Sequence, residues 1–304
     1  MKGRITMKKL SKKDFQKACS FVESYARPID RSFLSFWKEE ASAEEVLHEL
    51  EAFRNSDGGF GHSLEPDFRL KESSPMATTV AFQYMNKIGV SKNHPFVKDG
   101  IEYFMNTLNT KKERWIAVSD NVNDVPHAPW WHVSGNENRY SANPDAEIVG
   151  YLLYYGDDNN DLANGMLSKV LDHLEKLNEY EIHEVLCYLR LARLVGGEEE
   201  ECIIKKIHNK LPLIIDPPEK WDHYGVQPVV LAESDQSPFA EELNQELHVN
   251  LDYIVDKQLA DGSFEPNWEW GQYEDEWKKA KGEWKGYLTV QQLIVLSQFG
   301  RIES

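Results

Sequence analysis

Asp57-Gly58-Gly59-Phe60, near the start of the chain, recurs near its end as Asp261-Gly262-Ser263-Phe264. Each copy follows an amphipathic segment and precedes an apolar one, and an equal interval separates Thr78 from Gly89 and Thr289 from Gly300. A recurring unit of this kind is typical of a stacked or closed array of helices. Within each unit the Asp caps a turn, while the next Gly adopts a backbone conformation that other residues resist. We therefore expect both turns to be structural.

Hydrophobic periodicity between the two turns is helical. The spacing of apolar residues predicts apolar helices over 75–88, 144–155, 182–195 and 285–299. A glycine follows each of them, which fits a left-handed C-terminal cap. More polar, amphipathic segments lie at 94–109, 159–178, 198–210 and 237–258, and the stretches 110–142 and 259–283 are interpreted as loops. Because no series of alternating runs indicates hairpins, the chain is predicted to be all-α, with the apolar helices innermost.

Length and charge narrow the class of protein. The chain has 304 residues and a net charge of −17, which disfavours binding to nucleic acid or to an anionic membrane. No apolar run approaches the roughly 20 residues that span a bilayer, and no secretory signal is visible. We expect a cytoplasmic protein whose ligand is a small molecule, with residues 1–10 as a tail and 11–304 as a single domain.

The repeated turns carry a resemblance to a known superfamily. Gln258–Phe264 resembles the Q-x-x-D-G-x-[FW] repeat of terpenoid cyclases and protein prenyltransferases. Asp57–Gly61, followed by Ser74–Thr79, is similar to the GGFGG and APTYAA stretches of prenyltransferase β subunits. The resemblance covers the two ends of the chain well and the middle only through the alternation of helices. It implies an α/α-toroid, in which inner helices surround a central cavity and outer helices pack around them.

The catalytic signatures of these relatives are mostly missing. The chain has neither the Asp-x-Cys pair of zinc prenyltransferases nor the D-x-D-D acid of squalene-type cyclases. Asp157–Asp161 matches the D-D-x-x-D string that holds magnesium in class I terpene synthases, but its place directly after Gly156 predicts a turn and a helix cap. We expect neither a metal nor a cofactor, since nucleotide-binding and zinc-protease motifs are also missing.

Four acids are the candidate catalytic residues. Pro66 disfavours helical geometry at Glu65, and in an extended stretch Glu65, Asp67 and Arg69 would face one way. Two carboxylates beside a guanidinium can position a substrate, or one of them can donate a proton. Asp145 begins an apolar helix and Glu265 follows the second repeated turn. In a toroid the inner helices begin at one end, so we expect these acids to converge there, one of them with a raised pKa or paired with Arg69 or Arg139.

Aromatic residues accompany the acids in the same segments. All tryptophans except Trp37 lie in two regions, around the first long loop and between the later helices. Their ring faces can hold sugar rings or stabilise carbocations. The residues expected to bind the ligand are His62, Arg69, His127, Trp130, Trp131, Asp222, His223, Trp268 and Trp270.

Three functions remain open on the sequence. An isoprenoid-like ligand, with acid catalysis, fits the resemblance. A glycoside hydrolase or lyase fits the paired carboxylates and the tryptophans. A non-catalytic binding protein on the same fold is the third. The character of the cavity separates them: an apolar lumen favours the first, a shallow acidic cleft lined by Trp the second, and a mouth filled by the chain's own side chains the third.

Overall fold

A computed structural model describes residues 7–135, 140–157 and 160–303. Over this part of the chain the regular structure is helical, and the only β pairing consists of isolated bridges. The helices are α1 Lys12–Tyr25, α2 Pro28–Trp37, α3 Ala43–Leu50, α4 Pro75–Lys87, α5 Pro95–Thr107, α6 Asp145–Tyr155, α7 Asp161–Lys176, α8 Ile182–Val195, α9 Gly197–His208, α10 Leu211–Ile214, α11 Pro228–Leu231, α12 Asn244–Asp256 and α13 Glu274–Gln298. Short 3-10 helices lie at Glu51–Phe53, Asp120–Asp124, Pro129–Trp131 and Pro218–His223. The all-α prediction is confirmed.

The chain divides into two compact units. Unit 1 contains residues 1–42, 215–269 and 274–304, and unit 2 contains residues 43–214 and 270–273. Among the described helices, none combines the length and the apolar character that a membrane span requires. The single toroidal domain stays a prediction.

Three helices of unit 2, α4, α6 and α8, run parallel in one layer. The Ala142 N–H, just before α6, donates to Glu184, and further along α6 Glu147 accepts a bond from Arg190. The residue numbers of the bonded partners therefore increase in the same direction along α6 and α8, as they do in parallel helices. The same holds between α4 and α6, where Gln83 bonds to Glu147 and Asn86 bonds to Tyr155.

A second layer of unit 2 contains α5, α7 and α9. Helix α7 is antiparallel to α8, because the Tyr188 hydroxyl donates to the carbonyl of Val170 while His173, further along α7, pairs with the earlier Glu184. Helix α5 packs on α4 and α6, and α9 packs on α8 and α7. The side chains of Phe82, Val149 and Leu189 are buried, as expected for apolar inner helices.

The first repeated turn is built by hydrogen bonds that span the turn and α4. Asp57 Oδ1 accepts the Gly59 N–H at 3.0 Å, and the Phe60 N–H donates to Thr78 Oγ1 at 3.0 Å. Thr78 in turn donates to the Ser74 carbonyl at 2.8 Å. Gly58 has φ +85°, and a Cβ there would lie 2.5 Å from the carbonyl oxygen of Asp99. Glycine is therefore required both by its backbone conformation and by the close approach of α5.

The second repeated turn, in unit 1, has the same set of bonds. Asp261 Oδ1 accepts the Ser263 N–H at 3.0 Å, and the Phe264 N–H donates to Thr289 Oγ1 at 3.0 Å. Thr289 donates to the carbonyl four residues earlier, as Thr78 does. Gly262 has φ +92°, and a Cβ there would lie 2.5 Å from the backbone of Lys17 in α1. The internal repeat predicted from the sequence is thus a repeat of atomic contacts.

Glycine also ends the apolar helices, with one exception to the prediction. Gly89, Gly196 and Gly300 have φ values of +70°, +64° and +61°, which fit left-handed caps. Gly156 has φ −75° and lies outside this group. Its lack of a side chain is needed for another reason, since a Cβ would lie 2.2 Å from the Leu152 carbonyl oxygen.

Two segment assignments from the sequence need correction. The segment 259–283, interpreted as a loop, contains the first ten of the 25 residues of α13, which begins at Glu274 rather than near 285. Its acidic first turn suits the positive end of the helix dipole, a signal hidden by the aromatic residues around it. The N-terminal tail is shorter than expected among the described residues, because Leu10 is buried and pairs with Ile302.

Replacing Asp57 by Ala should lower the free energy of unfolding by about 1 kcal/mol, because the Gly59 N–H and the Ser73 hydroxyl lose their acceptor. Urea denaturation measures the change. Asp120→Ala, at an exposed acid of the same unit, is the control and should change little. A variant with unchanged stability that no longer binds ligand would contradict the structural role.

Candidate functional site

A buried carboxyl group, Asp67, lies at the centre of the aromatic loop cluster of unit 2. Asp67 is 5% exposed, and its Oδ1 accepts the indole N–H of Trp270 at 2.8 Å. The guanidinium of Arg69 lies 6.0 Å from the centre of the Trp270 ring. These three residues, all expected from the sequence to belong to the site, are therefore neighbours. We call them, with His127 and Trp131, the Asp67 site.

Glu65 does not have the geometry predicted for it. Residues 65–67 form a bend and a turn rather than an extended strand, and Glu65 Oε1 accepts the backbone N–H of Asp67 at 3.2 Å. The prediction that Glu65, Asp67 and Arg69 face one way from an extended stretch is therefore wrong. The physical reason is that a carboxylate two residues before an N–H closes a local turn more readily than it extends.

His127 lies on the strand-like segment that pairs with Phe68. The Ala128 N–H donates to the Asp67 carbonyl at 2.7 Å, so the two segments are held together by their backbones. His127 is 3% exposed, and its Nδ1 lies 2.7 Å from the Val125 carbonyl, which only a protonated Nδ1 can satisfy. In the neutral ring this contact places the proton on Nδ1 and the lone pair on Nε2, which can accept a hydrogen bond.

The two neighbouring tryptophans of this loop have different environments. Trp131 packs edge-on against Phe68, with ring centres 5.3 Å apart. Its buried indole nitrogen has no hydrogen-bond partner among the described residues. Trp130 is 51% exposed and presents its ring to solvent. Trp131 thus belongs to the wall of the Asp67 site, while Trp130 offers an open aromatic face.

Residues that sequence reasoning missed complete this cluster. His132 stacks on His127 with ring centres 5.6 Å apart, and Tyr273, which is 44% exposed, lies 5.7 Å from the His127 ring. Gln272 donates to the His127 carbonyl at 2.7 Å. His132 was visible in the sequence as a loop histidine, whereas no sequence signal connects Gln272 and Tyr273 with a loop so far away in the chain.

Asp145, the first residue of α6, is the second buried acid of unit 2. It is 1% exposed and accepts the Trp115 N–H at 2.9 Å, and the phenol of Tyr140 lies beside it. Burial raises the pKa of Asp145 to about 7, although the bond from Trp115 and the nearby Lys169 act in the opposite direction. An acid with such a pKa can both give and take a proton at neutral pH.

An open cleft of about 790 Å³ adjoins Tyr140 on the α7 side of unit 2. Tyr140 contacts the edge of His173 at 4.8 Å, and Lys169 Nζ lies 4.8 Å from the centre of its ring. His173 is held by the buried Glu184 at 3.0 Å. The surface that lines this cleft is mostly apolar. Tyr140 and His173 belong to no motif, so no sequence signal singled them out.

The remaining predicted site residues lie elsewhere. His62 is exposed in a turn, bonded to Asn55 at 2.9 Å. In unit 1, Asp222 is exposed and bonds to Tyr253 at 2.6 Å, and Glu265 pairs with Lys281 at 3.1 Å. His223 is exposed, and Trp268 is half-buried between Tyr224 and Trp284. Convergence of Glu265 and Trp268 with the Asp67 site stays a prediction, and Arg139 lies outside the described residues.

A metal centre was not expected. The string Asp157–Asp161 lies partly outside the described residues, but Asn160 caps α7 by accepting the Ala163 N–H at 3.0 Å. Within the described ranges, no group of three His, Cys, Asp or Glu residues is placed to hold a metal ion.

The sequence and the fold were compared with known proteins. No family model, no curated protein and no solved structure matches this chain.

Proposed function

We propose that the chain is an α/α-toroid protein resembling terpenoid cyclases and protein prenyltransferases, and that it binds a small isoprenoid-like ligand on which an acid acts. The toroid is supported by the repeated turn, which has the same bonds at Asp57 and Asp261, and by the parallel layer of α4, α6 and α8. Similar folds host unrelated activities, so the ligand has to be argued from the site itself.

The observation that carries the ligand class is the carboxyl group of Asp67 among aromatic rings. Trp270 donates to this group, and Trp131 and Phe68 pack edge to face in the same cluster. An acid protonates an isoprenoid double bond, and ring faces then stabilise the cation that forms. Asp145, with its pKa near neutrality, is the alternative proton donor in unit 2.

Carbohydrate chemistry is the second candidate, and one observation favours it. Trp130 and Tyr273 present exposed rings on the same loop cluster as the buried Asp67 carboxyl group. Exposed aromatic rings are flat platforms on which sugar rings stack. This reading needs a second carboxyl group as base or nucleophile, a role that Glu65 or Asp145 would fill.

Titration with farnesol and with cellohexaose, followed by tryptophan fluorescence, separates the two candidates. We expect farnesol to bind, and Trp131→Ala to weaken its binding about ten-fold because the wall of the Asp67 site is lost. Trp37→Phe, outside both tryptophan regions, is the control and should bind farnesol as the unchanged protein does. Binding of cellohexaose alone, weakened by Trp130→Ala, would replace the isoprenoid proposal with the carbohydrate one.

The acid is tested separately. Asp67→Asn keeps an oxygen that can accept the Trp270 N–H, so the site should stay folded while its proton donor is removed. Protonation of a double bond of farnesyl diphosphate, followed by loss of a proton from the cation, gives a cyclic product that keeps its diphosphate. If this product forms, measured by gas chromatography with mass spectrometry after phosphatase treatment, Asp67→Asn should abolish its formation. Asp120→Asn, the same change at an exposed acid, should not affect it. Full conversion by Asp67→Asn would assign the proton to another group.

A further inference from the structure

The cleft beside Tyr140, which we call the α7 cleft, has a wall made by one face of α7. The residues of this wall recur at intervals of three or four and so share a face: Leu162, Met166, Lys169, His173 and Lys176. The volume of the cleft is about 790 Å³, within the range of roughly 300–1,000 Å³ that small-molecule sites have, and the surface that lines it is mostly apolar. The α7 cleft therefore has the size and the character of a site for a small, mostly apolar molecule.

Gly165, in the interior of α7, also lines the α7 cleft. Its backbone is helical, and a Cβ added to it would have no heavy atom of the described chain within 4 Å beyond its own helical surroundings. Neither a left-handed conformation nor a close approach therefore requires glycine here, in contrast to Gly58. Glycine is less favourable than alanine in a helix interior. The missing side chain thus costs helix stability, and its effect is to leave the space of the cleft open.

His173 supplies the α7 cleft with a polar group of fixed orientation. Its Nε2 lies 3.0 Å from Oε1 of Glu184, which is 5% exposed and also accepts the Ala142 N–H at 2.6 Å. An ionised carboxylate only accepts, so Nε2 carries a proton, and in the neutral ring the lone pair is on Nδ1. Nδ1 bonds to no described residue, and the His173 side chain, which lines the cleft, is 22% exposed. Nδ1 is therefore available to accept a hydrogen bond from a hydroxyl group of a ligand.

Charged side chains of both signs line the α7 cleft. They are Glu113, Asp161, Asp172, Lys169 and Lys176. Lys169 lies 3.9 Å from the carboxylate of Glu113, so part of this charge is paired within the protein. Neither sign dominates around an apolar surface, which favours a ligand without a net charge over an anion or a cation.

We infer that the α7 cleft is a second ligand site, which binds an uncharged, mostly apolar molecule through one hydroxyl group that donates to Nδ1 of His173. Glu184 positions the imidazole ring, while Leu162 and the ring of Tyr140 contact the apolar body of the ligand. The space next to Gly165 receives part of this body. The inference does not depend on the isoprenoid proposal, because it uses none of the residues of the Asp67 site.

Two probes of similar shape test the hydroxyl contact. 2-Naphthol carries a hydroxyl group on an apolar ring system, and in 2-methoxynaphthalene a methyl group replaces the hydroxyl proton. Calorimetric titration of the full chain at neutral pH should show that 2-naphthol binds about five- to ten-fold more tightly, because only its hydroxyl group can donate to Nδ1. His173→Phe, which keeps an aromatic ring beside Tyr140, should lower the affinity for 2-naphthol to that for 2-methoxynaphthalene.

Gly165→Phe tests the place of binding. Its phenyl ring would occupy the open space next to Gly165, and phenylalanine is a better helix former than glycine, so the fold should be retained. We expect this variant to bind 2-naphthol about ten-fold more weakly or less. Gly282→Phe is the matched control, because Gly282 is an exposed glycine of α13 whose added Cβ would also meet open space within the described chain. It should bind 2-naphthol as the unchanged protein does.

His173→Phe leaves the buried Glu184 without one of its donors and can lower stability, so the two probes and Gly165→Phe decide, with circular dichroism as the check of folding. Failure of 2-naphthol to bind would overturn the inference, as would normal binding by Gly165→Phe. Equal affinities for the two probes would contradict the hydrogen bond to His173. Binding that is lost in Trp131→Ala and kept in Gly165→Phe would place the probe at the Asp67 site and overturn the second site.

Discussion

Arg301→Met should lower the free energy of unfolding by about 3 kcal/mol, because it removes a buried guanidinium and leaves its ion-pair and hydrogen-bond partners in place. The Arg301 side chain is 2% exposed and pairs with Asp252. The guanidinium also donates to the Lys8 carbonyl at 2.7 Å and to His248 Nδ1 at 3.1 Å. One side chain therefore joins the start of the described chain, α12 and the segment after α13 within unit 1.

The backbone around Arg301 strengthens this expectation. The Leu10 N–H donates to the Arg301 carbonyl at 2.7 Å, and the Glu303 N–H donates to the Leu10 carbonyl at 2.9 Å. Urea denaturation of Arg301→Met, with Arg31→Met as the exposed control, measures the effect. Arg301→Lys keeps the positive charge but lacks the planar guanidinium group that makes several bonds at once. Its loss of free energy of unfolding should lie between those of Arg301→Met and Arg31→Met. A loss below about 0.5 kcal/mol, the range of ordinary surface substitutions, would show that the contacts are not needed for stability.

Asp145→Asn should make unit 2 less sensitive to pH and more stable above neutrality. The carboxyl group has a pKa of about 7 in the folded protein, because burial disfavours its charged form, against about 3.9 in an unfolded chain. Between these values the folded state binds more protons than the unfolded state. The contribution of the protonated Asp145 carboxyl group to the free energy of unfolding is therefore complete below its unfolded pKa. This contribution is lost as pH rises through 7, by about 4 kcal/mol in total.

The substituted amide cannot ionise, and its oxygen can still accept the Trp115 N–H. Unfolding of the two proteins at pH 5 and pH 8 should therefore show a difference that grows with pH in favour of Asp145→Asn. Asp120→Asn, at an exposed acid of the same unit, corrects for the loss of one charge. A difference that stays constant from pH 5 to pH 8 would mean that Asp145 ionises normally in the folded protein.

Features set by local interactions were predictable from the sequence. The helices α4, α6 and α8 follow from apolar periodicity, and their ends follow from Ser74, which caps α4 by accepting the Ala77 N–H, and from glycines such as Gly89. The two repeated turns were also visible, because each needs only an Asp, a Gly and a Thr within one segment. The length of helix α13 was underestimated because its first turns are polar and aromatic and have no apolar stripe.

The candidate site depends on contacts that no local pattern encodes. Asp67 and Trp270 lie 203 residues apart, and only folding brings the indole N–H to the carboxyl group. Glu65 is close to Asp67 in sequence and was predicted to share its face, but a local turn bends its carboxylate back onto the chain. Proximity in sequence was therefore misleading here, and a distant residue supplied the partner.

Burial was likewise decided by the tertiary structure. The sequence identified Asp145 as an acid at the start of an apolar helix, but it did not show that burial would raise the pKa of Asp145. Nor did it show that Glu147, on the same helix, would be held by Arg190. Arg301, near the end of the chain, had no sequence signal at all. Helical periodicity and turn chemistry arise from neighbours along the chain, so the sequence alone determines them. The environment of a charged group arises from whichever distant segments exclude water around it, so only the folded structure determines its chemistry.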